Sequence, residues 1–169
     1  CFNKLTKRKI SALIVVHAYG IPANVSKISR ILKKYKIKLI EDAAACFGSF
    51  YNSKHLGTFG DFGIISLNGN KIISTGGGGV ILTKNKSHYS KAKYLTTVAK
   101  KNIKFEFIHG ELGYNYRMPN LNASLGFSQM ASLKKILEKK KIIHSIYKKI
   151  FEDTNHINLL TNLKNCKSN

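Results

Sequence analysis

Two short aliphatic runs, Ser11 to His17 (SALIVVH) and Ile37 to Glu41 (IKLIE), flank one amphipathic stretch, and this arrangement constrains the fold more than any other feature of the chain. Each run is too short for a buried helix and rich in β-branched residues, so each reads as a buried strand. Between them, Val25, Ile28, Ile31, Leu32 and Tyr35 share one stripe of a 3.6-residue period, with Asn24 or Ser26 available to cap the helix they predict. Tyr19-Gly20-Ile21-Pro22 supplies the turn. Strand, helix and strand in so few residues make a βαβ unit with parallel strands and a right-handed crossover. Asp42 then stands at a strand's carboxyl end, where open α/β sheets bind their ligands.

Phe62 to Leu67 (FGIISL) and Gly79 to Thr83 (GVILT) read as two further strands, and Asn68 to Gly78 connects them. Lys71 therefore sits on a loop held at both ends. A helix is expected from about Lys86 to Ala99. A long one is expected from about Asn120 to Glu152, with Pro119 and Asn120 marking its start. The glycine run Gly76 to Gly79 is followed by Val80-Ile81 instead of the Lys-Ser/Thr of a phosphate-binding P-loop, so it reads as a tight return into the next strand. Gly57, Gly60 and Gly63 read likewise as turn residues. A lysine after one strand and an aspartate ending another are the minimal set for holding pyridoxal phosphate. The lysine carries the cofactor as a Schiff base and the carboxylate keeps the pyridine nitrogen protonated.

Charge is the chief competing signal: 29 basic against 8 acidic residues give a net charge of +21, which attracts polyanions. A basic nucleic-acid-binding module is the alternative this raises. Only Arg8, Arg30 and Arg117 are arginines, however, and the lysines are scattered along the whole sequence. Bidentate reading of bases and phosphates favours arginine, so the charge reads as a solvated lysine surface and no nucleic-acid partner is expected. Cys1, Cys46 and Cys166 are odd in number and far apart, and the six histidines lack ligand spacing, so neither a disulfide framework nor a metal site is expected. No stretch has the apolar length of a membrane span, and a cytoplasmic protein is the default expectation.

Six short motifs occur in order: Val16 to Gly20, Glu41 to Ala44, Gly48 to Tyr51, Gly60 to Gly63, Ser66 to Lys71 with Thr75 to Gly79, and Gly113 to Met118. Together they resemble, over nearly the full length, the pyridoxal-phosphate-dependent nucleotide-sugar aminotransferases of the DegT/DnrJ/StrS family. The runs Leu95 to Lys100 and Phe107 to Ala123 are similar to the branch making 4-amino sugars of the bacillosamine and legionaminic-acid type. The resemblance implies an α/β fold: part of the large domain of a fold-type I transferase, a mostly parallel sheet flanked by helices. It implies Lys71 as the Schiff-base lysine and proton shuttle, Asp42 as the partner of the pyridine nitrogen, and Ser66 as a donor to the cofactor phosphate. Asn115 would reach that phosphate from the neighbouring subunit of a homodimer. His17 is a further cofactor-side candidate, a buried structural histidine being its other reading. Arg117 and Lys54 are candidates for the sugar diphosphate, or else plain surface bases.

The implied reaction moves an amino group, with glutamate as donor, to the ketone of a nucleotide-linked 4-keto-6-deoxy sugar of the UDP-N-acetylhexosamine type. Related sugar dehydratases have histidine at the lysine position, and Lys71 therefore points to transamination. Two departures stand out. Ala45 replaces the polar residue, often glutamine, that follows Asp-Ala-Ala in many relatives, and the amino-terminal helix start and ring-stacking aromatic of the family are not in this sequence. Residues 1–153 accordingly read as a partial cofactor-binding large domain, and 154–169 as the start of a truncated small domain. Such a fragment is expected to be inactive alone or dependent on a partner.

Overall fold

The computed structural model describes residues 1–160 and 163–169. Its centre is a four-stranded sheet of β1 (Ala12–Val16), β2 (Lys38–Asp42), β5 (Phe62–Ser66) and β6 (Gly79–Leu82), in the spatial order β1-β2-β5-β6. β1, β2 and β5 run parallel, with Val16 opposite Asp42 and Asp42 opposite Ile64. β6 returns antiparallel to β5, because a loop rather than a crossover helix joins them. The sheet is thus mostly parallel, as the strand–helix–strand alternation predicts.

Helix α1 (Val25–Tyr35) makes the crossover from β1 to β2. The Asn24 side chain accepts from the Lys27 N–H, and Lys36 leaves the helix in a left-handed conformation at φ 53°. Its Val25 and Leu32 pack with Val15 and Leu39 of the sheet. A second cluster, Ala43, Cys46, Leu56, Ile65, Leu67 and Ile73, lies beside the loops that follow β2 and β5. Both clusters use one face of the sheet. The other face leaves Ile14, Val16, Ile64 and Ile81 exposed, and the side chains of Asp42 and Ser66 share it.

Helix α2 (Lys86–Thr96) ends three residues earlier than the sequence pattern predicts. Val98 and Ala99 take positive φ, which turns the backbone so that the Val98 N–H donates to the Tyr114 carbonyl. The expected single helix from Asn120 to Glu152 is two helices, α3 (Asn120–Met130) and α4 (Leu133–Ile150). Apolar periodicity runs through the break at Ala131-Ser132, so the pattern alone does not reveal it. Redirecting the chain there lets Leu133 and Ile136 join the second cluster. Meanwhile the Gln129 amide on α3 clamps Ser74, accepting from its N–H at 3.0 Å and donating to its carbonyl at 2.9 Å.

A small antiparallel sheet completes the fold: β3 (Phe50–Tyr51), β4 (Lys54–His55) and β7 (Cys166–Lys167), in the order β4-β3-β7. Its two-residue strands are too short to leave a periodic signal. Gly63 is not in a turn, as the sequence reading has it, but inside β5. A Cβ there would lie 1.9 Å from the Gly57 carbonyl oxygen, so only glycine permits this backbone approach.

Candidate active site

The carboxyl ends of β1, β2 and β5 converge on one region, and each delivers a loop to it. β1 runs into His17 and a 3₁₀ turn at Ala18–Gly20. β2 ends at Asp42 and continues into Ala43 to Ala45. β5 ends at Ser66 and leads to the loop bearing Lys71, whose N–H donates to the Asn68 carbonyl at 3.0 Å. A cavity of about 240 Å³ lies between these loops and brings together Tyr19, Ala44, Ala45, Phe47, Asn70, Lys71 and Ile72, with Lys140 and Asn169 at its edge. Ala44 and Ala45 carry nothing beyond Cβ, which leaves room for a flat ring beside the lysine. Asp42 Oδ1 accepts from the Ala44 N–H at 3.1 Å, while Oδ2 has no hydrogen-bond partner among the described residues. Ser66 Oγ accepts from the Asn68 N–H at 3.3 Å. A half-buried lysine, a small-residue floor and a carboxylate with one oxygen to spare at the next strand end fit pyridoxal phosphate.

Where β1 and β2 end lies a buried hydrogen-bonded pair, His17 and Glu41. Glu41 is fully buried, and its carboxylate accepts four hydrogen bonds. Oε2 takes His17 Nε2–H at 3.0 Å and the Gly57 N–H at 2.9 Å, and Oε1 takes the N–H groups of Phe59 and Gly60, each at 2.6 Å. His17 Nδ1 accepts from the Ala23 N–H at 3.1 Å, which assigns the ring proton to Nε2. Burial pushes the Glu41 carboxyl up, but the bonds from His17, Gly60, Gly57 and Phe59 outweigh it and hold the group below its ordinary value of 4.5. Both nitrogens of His17 are therefore committed to the fold, so the ring has none to offer a cofactor. Cys46 is buried beside this network, where desolvation and the nearby Asp42 charge push its thiol up to about 12.

Asp42, Ser66 and His17 stand at the strand ends that deliver these loops but do not line the Lys71 cavity, and neither do the remaining sequence candidates. Asn115 and Arg117 share a separate groove of about 630 Å³ with Gly77 to Gly79, Tyr116 and Asn122. Within one chain they are not in the Lys71 cavity. Lys54 lies on the β3–β4 hairpin with its ammonium 4.2 Å from the centre of the Phe59 ring. Burial and the neighbouring Lys84 push it below the ordinary lysine value. Three polar residues go unnoticed in the sequence. Glu41 reads there only as the neighbour of Asp42, and Asn122 donates to the Thr75 carbonyl at 2.5 Å. Asn169 donates to the carbonyls of Ala45 and Phe47 at 2.7 and 3.0 Å. Only Glu41 leaves a usable trace, a charged residue at an inward position of a buried strand.

Among the described residues there is no group of His, Cys, Asp and Glu that could hold a metal ion, and no helix is long and apolar enough to cross a membrane. The chain matches the DegT/DnrJ/EryC1/StrS aminotransferase family over residues 2–168. It is 37% identical over 147 residues to the GDP-perosamine synthase of Escherichia coli O157:H7, a match covering 87% of this chain and 40% of the relative. It is also 37% identical over 153 residues to the UDP-4-amino-4,6-dideoxy-N-acetyl-beta-L-altrosamine transaminase of Campylobacter jejuni, covering 89% and 40%. Among solved structures, Helicobacter pylori PseC, an aminotransferase involved in the biosynthesis of pseudaminic acid, superposes with a TM-score of 0.81 at 25% identity, over 86% of this chain and 39% of PseC. The PLP-form of Spr1654 from Streptococcus pneumoniae shares the fold, with a TM-score of 0.85 at 21% identity over 94% and 45%. The chain thus spans about two fifths of the length of the relatives it matches. The Lys71 cavity, the mostly parallel sheet and a family match that is all but end to end lead to one conclusion: this chain belongs to the DegT/DnrJ/EryC1/StrS aminotransferases, whose enzymes use pyridoxal phosphate.

Proposed function

We propose that the protein containing this chain transfers an amino group, from glutamate, to the ketone of a nucleotide-linked 4-keto-6-deoxy sugar of the UDP-N-acetylhexosamine type, for surface-glycan biosynthesis. The observation that carries this reading is the cavity holding Lys71 against Ala44 and Ala45, one strand end away from Asp42. Bound there, pyridoxal phosphate supplies an electron sink for the carbon that gains or loses nitrogen. Lys71 Nζ would hold the cofactor and would be the base that moves a proton between cofactor and substrate carbons. Asp42, through the oxygen unused by Ala44, holds a proton on the ring nitrogen. Ser66 Oγ would donate to the phosphate, and Asn115 of a second subunit would complete that contact; its place in a groove apart from Lys71 within one chain is compatible with this. Arg117, in the same groove, is our candidate for the sugar diphosphate. Lys54, engaged on Phe59, is the weaker candidate for it.

On this reading residues 1–153 form part of the cofactor-binding large domain, residues 154–169 begin the small one, and the working unit is a homodimer. Replacing Lys71 by Ala in the full-length protein abolishes both borohydride-trapped cofactor and turnover of the sugar nucleotide. Turnover retained by that variant refutes the mechanism.

A further inference from the structure

Of the two aromatic side chains lining the Lys71 cavity, Phe47 packs against the core and Tyr19 is displayed. It is 85% exposed, and its ring and hydroxyl make no hydrogen bond or ring contact among the described residues. Its backbone is left-handed, at φ 53° and ψ 30°, a conformation unfavourable to any residue with a Cβ. Everything around it is tied down. The His17 N–H donates to the Asp42 carbonyl at 3.0 Å, and the Ile21 N–H donates to Ala18 at 2.9 Å. The His17 ring spans from Glu41 to the Ala23 N–H. Gly20 follows at φ 79°, where a side chain would be strained, with the Asn169 and Ser49 side chains close against it. A strained, rigidly anchored turn that presents an unpacked aromatic to a cavity is a pattern found where a ligand uses the residue.

We infer that Tyr19 is a substrate-contacting residue that orients the hexose ring of the nucleotide sugar at Lys71, and that the buried His17–Glu41 pair is its positioning device. The inference rests on the function proposed above. Ala44 and Ala45 beside Lys71 would leave room for the flat cofactor, and the group reaching the exposed rim at Tyr19 would then be the one projecting out of the cavity. A sugar ring matches a phenol there: its C–H face lies on the aromatic face and its hydroxyls exchange hydrogen bonds with the phenolic oxygen. Glutamate, a small flexible chain with two carboxylates, offers Tyr19 no ring face to stack on.

The test uses the full-length protein with glutamate and a UDP-linked 4-keto-6-deoxy-N-acetylhexosamine, reading trapped cofactor and the two half-reactions separately. Tyr19→Ala is expected to raise KM for the sugar at least tenfold and Tyr19→Phe about threefold, with smaller changes in kcat and an undiminished amount of cofactor trapped by borohydride. Glu41→Gln, which loosens the turn without touching the ligand, is expected to raise the same KM, again with cofactor trapped. A KM within twofold of the parent in Tyr19→Ala overturns the assignment. So does an equal loss in the glutamate half-reaction, because that places Tyr19 on the cofactor or donor. An unsubstituted protein that traps no cofactor refutes the proposed function itself, and the inference falls with it.

Discussion

Replacing Glu41 by Ala removes the acceptor of four hydrogen bonds at once, two buried, from His17 Nε2–H and the Gly57 N–H, and two partly buried, from the N–H groups of Phe59 and Gly60. A buried donor left unsatisfied costs about 1–3 kcal/mol. The four do not add fully, because the 57–60 loop can relax and admit water, and single substitutions above about 5 kcal/mol are exceptional. A local loss of about 3–4 kcal/mol is the reasoned expectation. At about 1.4 kcal/mol per factor of ten, that is a roughly 100- to 1000-fold faster amide exchange at Gly57, Phe59 and Gly60. Hydrogen exchange read by mass spectrometry on the full-length protein measures it directly, without assuming two-state unfolding. Glu41→Gln keeps one oxygen but turns an amide donor toward two others, and is expected to lie between parent and Ala. The pair also has a pH signature. Because the folded carboxyl lies below its ordinary value, its stabilisation is complete above about 4.5 and is lost as pH falls through the folded value. Exchange at these amides should therefore rise selectively in acid. Less than a fivefold change at all three amides in Glu41→Ala would refute the claim that this carboxylate holds the loop.

Two further outcomes follow from packing and burial. Gly63→Ala places a methyl group against the Gly57 carbonyl at an impossible 1.9 Å, so the β4–β5 loop must move off β5, with an expected loss of about 3 kcal/mol; thermal unfolding within 2 °C of the parent would contradict the close approach. Cys46, fully buried with its thiol pushed up to about 12, is expected to resist alkylation at pH 8 while exposed Cys1 is labelled; peptide mapping showing equal labelling would contradict its enclosure.

Much of the sheet is legible before any coordinates. β1, α1, β2, β5 and β6 are each within a residue or two of their predicted limits, because a strand buried by its neighbours must be aliphatic and an amphipathic helix must repeat every 3.6 residues. Lys71 and Asp42 emerge from the same reading, since topology alone sets them at the ends of adjacent segments. The break between α3 and α4 stays hidden because the apolar repeat passes through Ser132 uninterrupted. The β3–β4 hairpin is too short to show a period, and β7 joins it from more than a hundred residues away.

The sequence by itself determined the mostly parallel α/β sheet, the family, and the lysine and aspartate at its carboxyl edge, since these follow from local pattern and chain order. Only the tertiary structure decided which polar groups meet. It gave both His17 nitrogens to the fold, made Glu41 the acceptor for three backbone amides, set Asn115 and Arg117 in a groove apart from Lys71, and stood Tyr19 at the cavity rim. The physical reason is that hydrophobic periodicity is a property of consecutive residues, whereas a hydrogen bond between residues 17 and 41, or a cavity shared by residues 19, 44 and 71, exists only once the chain has closed on itself.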